Sequence, residues 1–167
     1  GASVLNENVP AAFKLLSSLP GIEIWHQAGA KRVDEAQEAY TAAGVEAKVK
    51  PFINDMAGAY AWADLVICRS GALTVAELAA AGVASVLVPF AHAVDDHQTR
   101  NAEYLSSTDA AIILPQASLD PQTLADVLKP LLSDRAKLMA MAVAARQLAL
   151  PDAAEKVVEA CGEWVGT

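Results

Sequence analysis

Residues 65–82 constrain the fold of this 167-residue chain more than any other segment. The short apolar run Leu65–Cys68 is followed by the turn Arg69-Ser70-Gly71 and then by helix-forming residues as far as Gly82. This order predicts a buried strand, a tight turn and a helix whose first backbone N–H groups lack partners inside the helix. Such N–H groups favour an anion, as does the positive end of the helix dipole. Glu77 lies one turn further on, where a carboxylate could accept hydrogen bonds from sugar hydroxyls beside a phosphate.

The same segment has a second interpretation. Thr74 and Glu77 fit a capping box, in which the two side chains satisfy N–H groups at the helix end and bind no ligand. Short motifs also match by chance, so their spacing alone does not separate the two hypotheses. The positions of the other polar residues must decide between them.

Helix and strand patterns alternate along the chain. Strands are predicted at Ile22–Trp25, Ala47–Pro51, Leu65–Cys68, Ser85–Val88 and Ala110–Leu114. Helices are predicted at Val4–Leu19, Lys31–Ala43, Asp55–Ala63, Leu73–Ala81 and Asp95–Ser106, with about three more after Pro121, broken near Ser133 and Pro151. Repeated β–α units with short apolar strands predict one α/β domain, a Rossmann-like parallel sheet with helices on both faces.

Polar residues follow three of the predicted strands. Phe52-Ile53-Asn54 follows one strand, Arg69-Ser70-Gly71 the next, and the segment from Pro89 to Asn101 the third. Ligands of such sheets bind at the carboxyl ends of the strands, where these residues converge. Gln98 and Asn101 share one helical face there, so both could reach a ligand. The convergence favours a ligand site over capping alone.

Composition and motifs exclude several classes of function. Lys and Arg number 12 against 20 Asp and Glu, and this net charge of −8 argues against a nucleic-acid partner. The cluster His92, Asp95, Asp96 and His97 matches no standard zinc spacing, so no metal is expected, and one of the aspartates is expected to cap the next helix. The serine-hydrolase, dinucleotide and P-loop patterns are absent. The two cysteines form no CxxC pair, which suits a reducing cytoplasm, and Cys68 is expected to be a buried small residue.

The start of the chain differs from that of a complete doubly wound domain. Gly1-Ala2 leads directly into a helix pattern, whereas such a domain normally opens with a strand and a glycine-rich turn. We therefore expect that the first strand is missing and that the chain is a fragment.

The three tryptophans, Trp25, Trp62 and Trp164, are expected to be core or interface residues, with Trp62 packed on the sheet.

Three segments carry a family resemblance: Phe52–Ala57, Cys68–Glu77 and Asp95–Ala102. They resemble the bacterial N-acetylglucosaminyltransferases that convert lipid I to lipid II, which are two-domain GT-B glycosyltransferases. The resemblance runs the length of the chain but covers only the C-terminal, donor-binding half of that family. It implies that residues 1–167 form the UDP-sugar donor-binding domain and that the acceptor domain is absent.

The resemblance implies roles for particular residues. Ile53 would meet the uracil through its backbone, the helix N-terminus at Ala72 to Thr74 would face the pyrophosphate, and Glu77 would hold the ribose hydroxyls. Gln98 would hold the N-acetylglucosamine. The substrate-binding candidates are thus Ile53, Ala72, Leu73, Thr74, Val75, Ala76, Glu77 and Gln98, and the further candidates are Arg69, Ser70, Gly71, His97 and Asn101.

The implied activity is an inverting transfer of N-acetylglucosamine from UDP-N-acetylglucosamine to lipid I, without a metal or other cofactor. The base is expected on the absent half, so this chain would hold no catalytic residue and would bind UDP without turnover. Lipid I would be contacted through the missing domain. The chain is expected to have no membrane anchor of its own and to act in the cytoplasm at the inner face of the bacterial membrane.

Two alternatives stay open. The first is another GT-B enzyme that uses a UDP-sugar, such as a 2-epimerase or a different transferase, although the segment Asp95–Ala102 favours the lipid I family. The second is a non-catalytic module that binds a nucleotide sugar. Sequence upstream of Gly1 would decide between that module and an enzyme.

Overall fold

The computed structural model describes residues 3–90, 96–153, 155, 158 and 161. The helices are α1 Ser3–Leu15, α2 Val33–Ala43, α3 Met56–Trp62, α4 Ala72–Ala81, α5 His97–Ser106, α6 Pro121–Leu132 and α7 Arg135–Gln147. The strands are β1 Trp25–Gln27, β2 Lys48–Lys50, β3 Leu65–Cys68, β4 Ala84–Leu87 and β5 Ala111–Ile113, and a 3-10 turn spans Gln116–Ser118. Within these residues no helix is long and apolar enough to cross a membrane.

The strands form two parallel sheets. β1 pairs with β2, with Trp25 opposite Lys48, and the second sheet has the order β3-β4-β5. Every residue of β4 is buried, as expected for a strand covered on both faces. Because side chains alternate along a strand, Val86 packs with α1 and α6 while Leu87 packs with α4 and α5. The prediction of an α/β domain with helices on both faces of a parallel sheet is confirmed.

An apolar cavity of about 560 Å³ separates the two sheets. It is lined by β1 on one side and β3 on the other, with Leu5 and Val9 of α1 and Tyr60 of α3 also in its wall. In the doubly wound strand order the first strand of the fold lies between its second and fourth strands. Here β1 and β3 stand in the places of that second and fourth strand, and the cavity lies between them.

Two elements depart furthest from their predicted bounds. α1 ends at Leu15 instead of Leu19, because the chain then tightens into i→i−3 hydrogen bonds such as Leu16 N–H to the Phe13 carbonyl. The first strand lies at Trp25–Gln27 instead of Ile22–Trp25. The residues of this strand do not form an apolar run, so the sequence pattern did not mark it. The partly buried His26 is accommodated there by hydrogen bonds to Asn6 and Tyr40.

Trp62 stacks on Trp25, with ring centroids 4.7 Å apart, and keeps 41% of its surface exposed. It therefore covers another tryptophan at the start of β1 and remains partly open to solvent.

Several predictions fall outside the described residues: those on Gly1, Ala2, His92, Asp95 and Trp164, and most of the helix expected beyond Pro151.

Candidate functional site

The N-terminus of α4 presents backbone N–H groups without helical acceptors. Gly71 occupies the N-cap position with extended backbone, and no side-chain cap is found at this end among the described residues. The N–H of Val75 bonds to the Gly71 carbonyl at 3.0 Å, so the N–H groups of Ala72, Leu73 and Thr74 precede the first helical hydrogen bond. Leu73 is 81% exposed, which leaves this end open to a ligand.

The capping-box interpretation is wrong. With Gly71 at the N-cap, Thr74 is the third residue of α4 and Glu77 the sixth. A capping box needs the hydroxyl residue at the N-cap itself, because only there can both side chains reach the orphan N–H groups. The anion-site hypothesis is compatible with this geometry and stays a prediction.

Gly71 is not required by the fold. Its φ of −63° is ordinary for any residue, and a Cβ built on it would meet only the Thr74 hydroxyl, at 3.8 Å. The missing side chain instead keeps the approach to the N–H groups of α4 clear. That this space serves a ligand stays a prediction.

Glu77 is exposed on α4 and lies near the end of β3. Its Oε2 accepts a hydrogen bond of 3.0 Å from the hydroxyl of Tyr60 on α3. Burial raises the pKa of Tyr60, and the hydrogen bond to Glu77 and its charge raise it further, so the phenol stays protonated and donates. Burial and the charge of Glu77 also raise the pKa of Cys68 to about 12, so this thiol is not a nucleophile at neutral pH.

Two hydrogen bonds fasten the turn before α4 to α5. The fully buried Ser70 donates from Oγ to the carbonyl of Gln98 at 2.7 Å, and Asn101 Nδ2 donates to the Ser70 carbonyl at 3.1 Å. Gln98 Oε1 accepts from the N–H of Phe90 at 2.9 Å, which holds its side chain at the end of β4. Ser70 and Asn101 thus hold the site together, and a direct ligand contact by either stays a prediction.

Arg69 turns toward the segment that follows β4. Its Nη1 donates to the carbonyls of Val88 and Pro89 at 3.0 and 3.1 Å, and the guanidinium lies 5.3 Å from the centre of the Phe90 ring. Burial lowers the pKa of Arg69, but an arginine keeps its charge at any physiological pH. It therefore places a fixed positive charge against the segment that follows β4.

Ile53 lies on the other side of the cavity, after β2. Its N–H donates to Gln27 Oε1 at 2.8 Å, and the neighbouring Phe52 is 63% exposed. Gln27 ends β1, so the rule of strand ends could have found it once the position of β1 was known. Tyr60 carries no such signal, because its contact with Glu77 joins two side chains that are 17 residues apart and lie on different helices.

The remaining candidates differ in their surroundings. Val75 is buried and its N–H is already bonded to Gly71, whereas Ala76 is exposed and His97 begins α5. Asp96 occupies the N-cap of α5, but its carboxylate accepts from the Thr99 hydroxyl at 2.6 Å instead of a backbone N–H. The described part of the chain contains no group of three His, Cys, Asp or Glu residues that could hold a metal ion.

The fold and this strand-end site define a Rossmann-like α/β domain of the class that binds its ligand at the carboxyl ends of the strands. Residues 1–157 match the sequence pattern of the glycosyltransferase family 28 C-terminal domain, and the chain belongs to this family. The structure of Acinetobacter baumannii MurG superposes with a TM-score of 0.91 at 46% identity, over 98% of this chain and 47% of the other. The glycosyltransferase VinC, solved with dTDP, shares the fold with a TM-score of 0.63 at 18% identity, over 83% of this chain and 32% of VinC.

Two curated relatives carry the same full name, UDP-N-acetylglucosamine–N-acetylmuramyl-(pentapeptide) pyrophosphoryl-undecaprenol N-acetylglucosamine transferase. The Marinobacter nauticus protein is 55% identical over 98% of this chain and 45% of its own length. The protein of Xanthomonas oryzae pv. oryzae strain MAFF 311018 is 57% identical over 100% of this chain and 38% of its own length. The chain thus spans less than half the length of these relatives.

Proposed function

We propose that residues 1–167 are the UDP-sugar donor-binding domain of an inverting glycosyltransferase. The enzyme would move N-acetylglucosamine from UDP-N-acetylglucosamine to lipid I and give lipid II for peptidoglycan synthesis. The observation that carries the proposal is the uncapped N-terminus of α4, with open space at Gly71 and the Glu77 carboxylate one turn further on. The family and the names of the relatives support it.

Each part of the donor has a matching group. The N–H groups of Ala72, Leu73 and Thr74 would bind the pyrophosphate, and Glu77 would accept hydrogen bonds from the ribose hydroxyls. The backbone of Ile53 would contact the uracil across the cavity. Gln98 would hold the N-acetylglucosamine, and the hydrogen bond from Phe90 orients its amide for this task.

The proposed chemistry is an inverting transfer. The 4-hydroxyl of the muramyl residue would attack C1 of the sugar, the bond from C1 to the UDP oxygen would break, and the new glycosidic bond would have inverted configuration. Fixed N–H dipoles at the helix N-terminus would stabilise the charge that develops on the leaving UDP, so no metal is needed. The base that takes the proton of the attacking hydroxyl would belong to the acceptor domain.

The partners and location belong to the same proposal. Lipid I would be contacted through the acceptor domain, and the enzyme would act as a peripheral protein at the cytoplasmic face of the bacterial membrane, in cell-wall growth that supports cell shape and division. The undecaprenol in the names of the relatives supports this location. The net charge of −8 argues against nucleic acid as a partner.

The variant Gly71→Ala tests the pyrophosphate site. An added methyl group would crowd the phosphate without straining the fold, so we expect UDP affinity to fall by about tenfold, roughly 1.4 kcal/mol, at unchanged melting temperature. Calorimetry with UDP measures the loss, and uridine, which lacks phosphates, is the control ligand whose affinity should not change. Equal UDP affinity in parent and variant would contradict the site, as would a parent that binds no UDP.

Competition with other UDP-sugars tests the choice of donor. If the domain serves the lipid I reaction, UDP-N-acetylglucosamine should displace bound UDP at lower concentration than UDP-glucose does, because the acetamido group adds contacts. Equal displacement by both sugars would favour a different enzyme of the same fold. The variant Gln98→Ala should reduce the difference between the two sugars.

A further inference from the structure

The Glu77 carboxylate is held by one neutral donor. The side chain of Glu77 extends from an exposed face of α4, and in the described part of the chain its hydrogen bond comes from the Tyr60 hydroxyl, 3.0 Å from Oε2. No salt bridge involves Glu77 among the described residues. A long side chain on a helix surface otherwise samples several rotamers, and fixing one of them costs entropy. The phenol therefore sets the direction of this carboxylate.

Tyr60 is itself held in place. Its ring packs against the core cluster that contains Val75 and Leu78 of α4, and it lines the cavity beside Glu77. The first turn of α3 is fixed by Asp55, whose carboxylate accepts the Gly58 N–H at 2.8 Å. A tyrosine has only two rotatable side-chain bonds, so a packed ring leaves its hydroxyl at a defined point.

The hydrogen bond from Tyr60 leaves the Glu77 carboxylate with acceptor positions for further hydrogen bonds. An ionised carboxylate has two oxygens and about four acceptor positions, and Tyr60 uses one of them. A neutral phenol aims the group without cancelling its charge, whereas an arginine partner would pair with both oxygens. The remaining acceptor positions are enough for two adjacent hydroxyl groups, such as those of a ribose.

We propose that Tyr60 is a positioning residue that aims the Glu77 carboxylate at the ribose and thereby makes the site prefer ribonucleotides to 2′-deoxyribonucleotides. This inference rests on the proposed function, in which Glu77 accepts from the ribose hydroxyls. Tyr60 itself touches no part of the ligand in this scheme. Its contribution appears only in how well Glu77 distinguishes a sugar with the 2′-hydroxyl from one without it.

The test compares UDP with 2′-deoxy-UDP on the parent and on Tyr60→Phe, which keeps the ring and removes the hydroxyl. We expect the parent to bind UDP more tightly, and Tyr60→Phe to lose about three- to tenfold of that preference while its affinity for 2′-deoxy-UDP stays nearly the same. A purely structural role would weaken both ligands by the same factor. An unchanged ratio of the two affinities in Tyr60→Phe overturns the proposal.

Two further variants sharpen the experiment. In a Glu77→Gln background, Tyr60→Phe should have no further effect on the ratio, because the two residues act as one unit. Tyr104→Phe is the matched control, because it also removes a hydrogen-bonding tyrosine hydroxyl. The Tyr104 hydroxyl donates to the Leu148 carbonyl at 2.7 Å and not to Glu77. A ratio that falls equally in Tyr104→Phe also overturns the proposal. If the parent binds no UDP, the proposed function and this inference fail together; if it does and the ratio is unaffected, this inference alone fails.

Discussion

At the scale of single residues, two fully buried serines differ in one respect. Ser70 donates from its hydroxyl to the Gln98 carbonyl, whereas Ser85 on β4 has no hydrogen-bond partner for its Oγ among the described residues. A buried hydroxyl without a partner costs free energy, because it has left water and gained nothing in return. The two sites therefore respond oppositely to loss of the oxygen.

We expect Ser70→Ala to lower the free energy of unfolding by about 1–2 kcal/mol and Ser85→Ala to leave it unchanged or raise it by up to about 1 kcal/mol. The alanine removes a satisfied hydrogen bond in the first case and an unsatisfied group in the second. Urea unfolding followed by circular dichroism measures both values. A similar loss in the two variants would show that Ser85 has a partner after all.

Single residues also show how much of the candidate site could be predicted from the sequence. The place of Glu77 in the second turn of α4 could be predicted, because it follows from spacing along the chain after a strand-end glycine. Tyr60 and Gln27 could not, since their roles depend on contacts with Glu77 and Ile53 across 17 and 26 residues of sequence. The direct contacts proposed for Gln98 and Ile53 stay predictions.

At the scale of elements, Gly44 and Gly82 end two helices in the same way. Both have left-handed backbone, with φ of 69° and 68°, and both return N–H groups to the last helical carbonyls. Their surroundings differ: a Cβ on Gly44 would meet nothing within 4 Å, whereas one on Gly82 would lie 3.0 Å from Arg146 Cβ and 3.4 Å from the Ala142 carbonyl. Gly82 is thus both a helix end and the contact point of α7.

We expect Gly44→Ala to cost about 1 kcal/mol of stability, the strain of a left-handed alanine. Gly82→Ala should cost more, on the order of 2–3 kcal/mol, because α7 must also move. Matched urea melts of the two variants measure the difference. Equal losses of stability in the two variants would mean that displacing α7 costs no free energy.

Both helix ends could be predicted from the glycines, but the packing of α7 on Gly82 could not. β1 shows the reverse limit. Its pattern of Trp25, His26 and Gln27 is not apolar, and the imidazole of His26 has hydrogen-bond partners in Asn6 of α1 and Tyr40 of α2. Period and hydrophobicity therefore predict the strands of the buried sheet better than this one.

At the scale of the whole molecule, one polar network joins the first three elements. His26 Nε2 lies 2.9 Å from Asn6 Oδ1, His26 Nδ1 lies 2.9 Å from the Tyr40 hydroxyl, and Asn6 Nδ2 donates to the Ala28 carbonyl. With Asn6 Oδ1 as an acceptor, Nε2 carries the proton and Nδ1 accepts from Tyr40, which suits a neutral imidazole. Burial lowers the pKa of His26 below its usual value of 6.5.

The protein should therefore lose stability as the pH falls below about 6.5, the pKa of the unfolded histidine. Between that value and the lower pKa of folded His26, the unfolded chain binds more protons, so the free energy of unfolding rises with pH and falls on acidification. Urea midpoints at pH 7.5 and pH 5.5 test this. His26→Gln should show a smaller decrease than the parent, and an equal decrease would assign the effect to other groups.

The division of the sheet affects how the molecule is held together. No ladder of backbone hydrogen bonds joins β1 to β3 in the described structure, so the half with β1 and β2 and the half with β3, β4 and β5 meet through helices, with α1 resting on both α2 and α6. A nucleotide bound as proposed would touch Ile53 in one half and α4 in the other. It would then act as a non-covalent cross-link, and domain cohesion would increase with the concentration of donor.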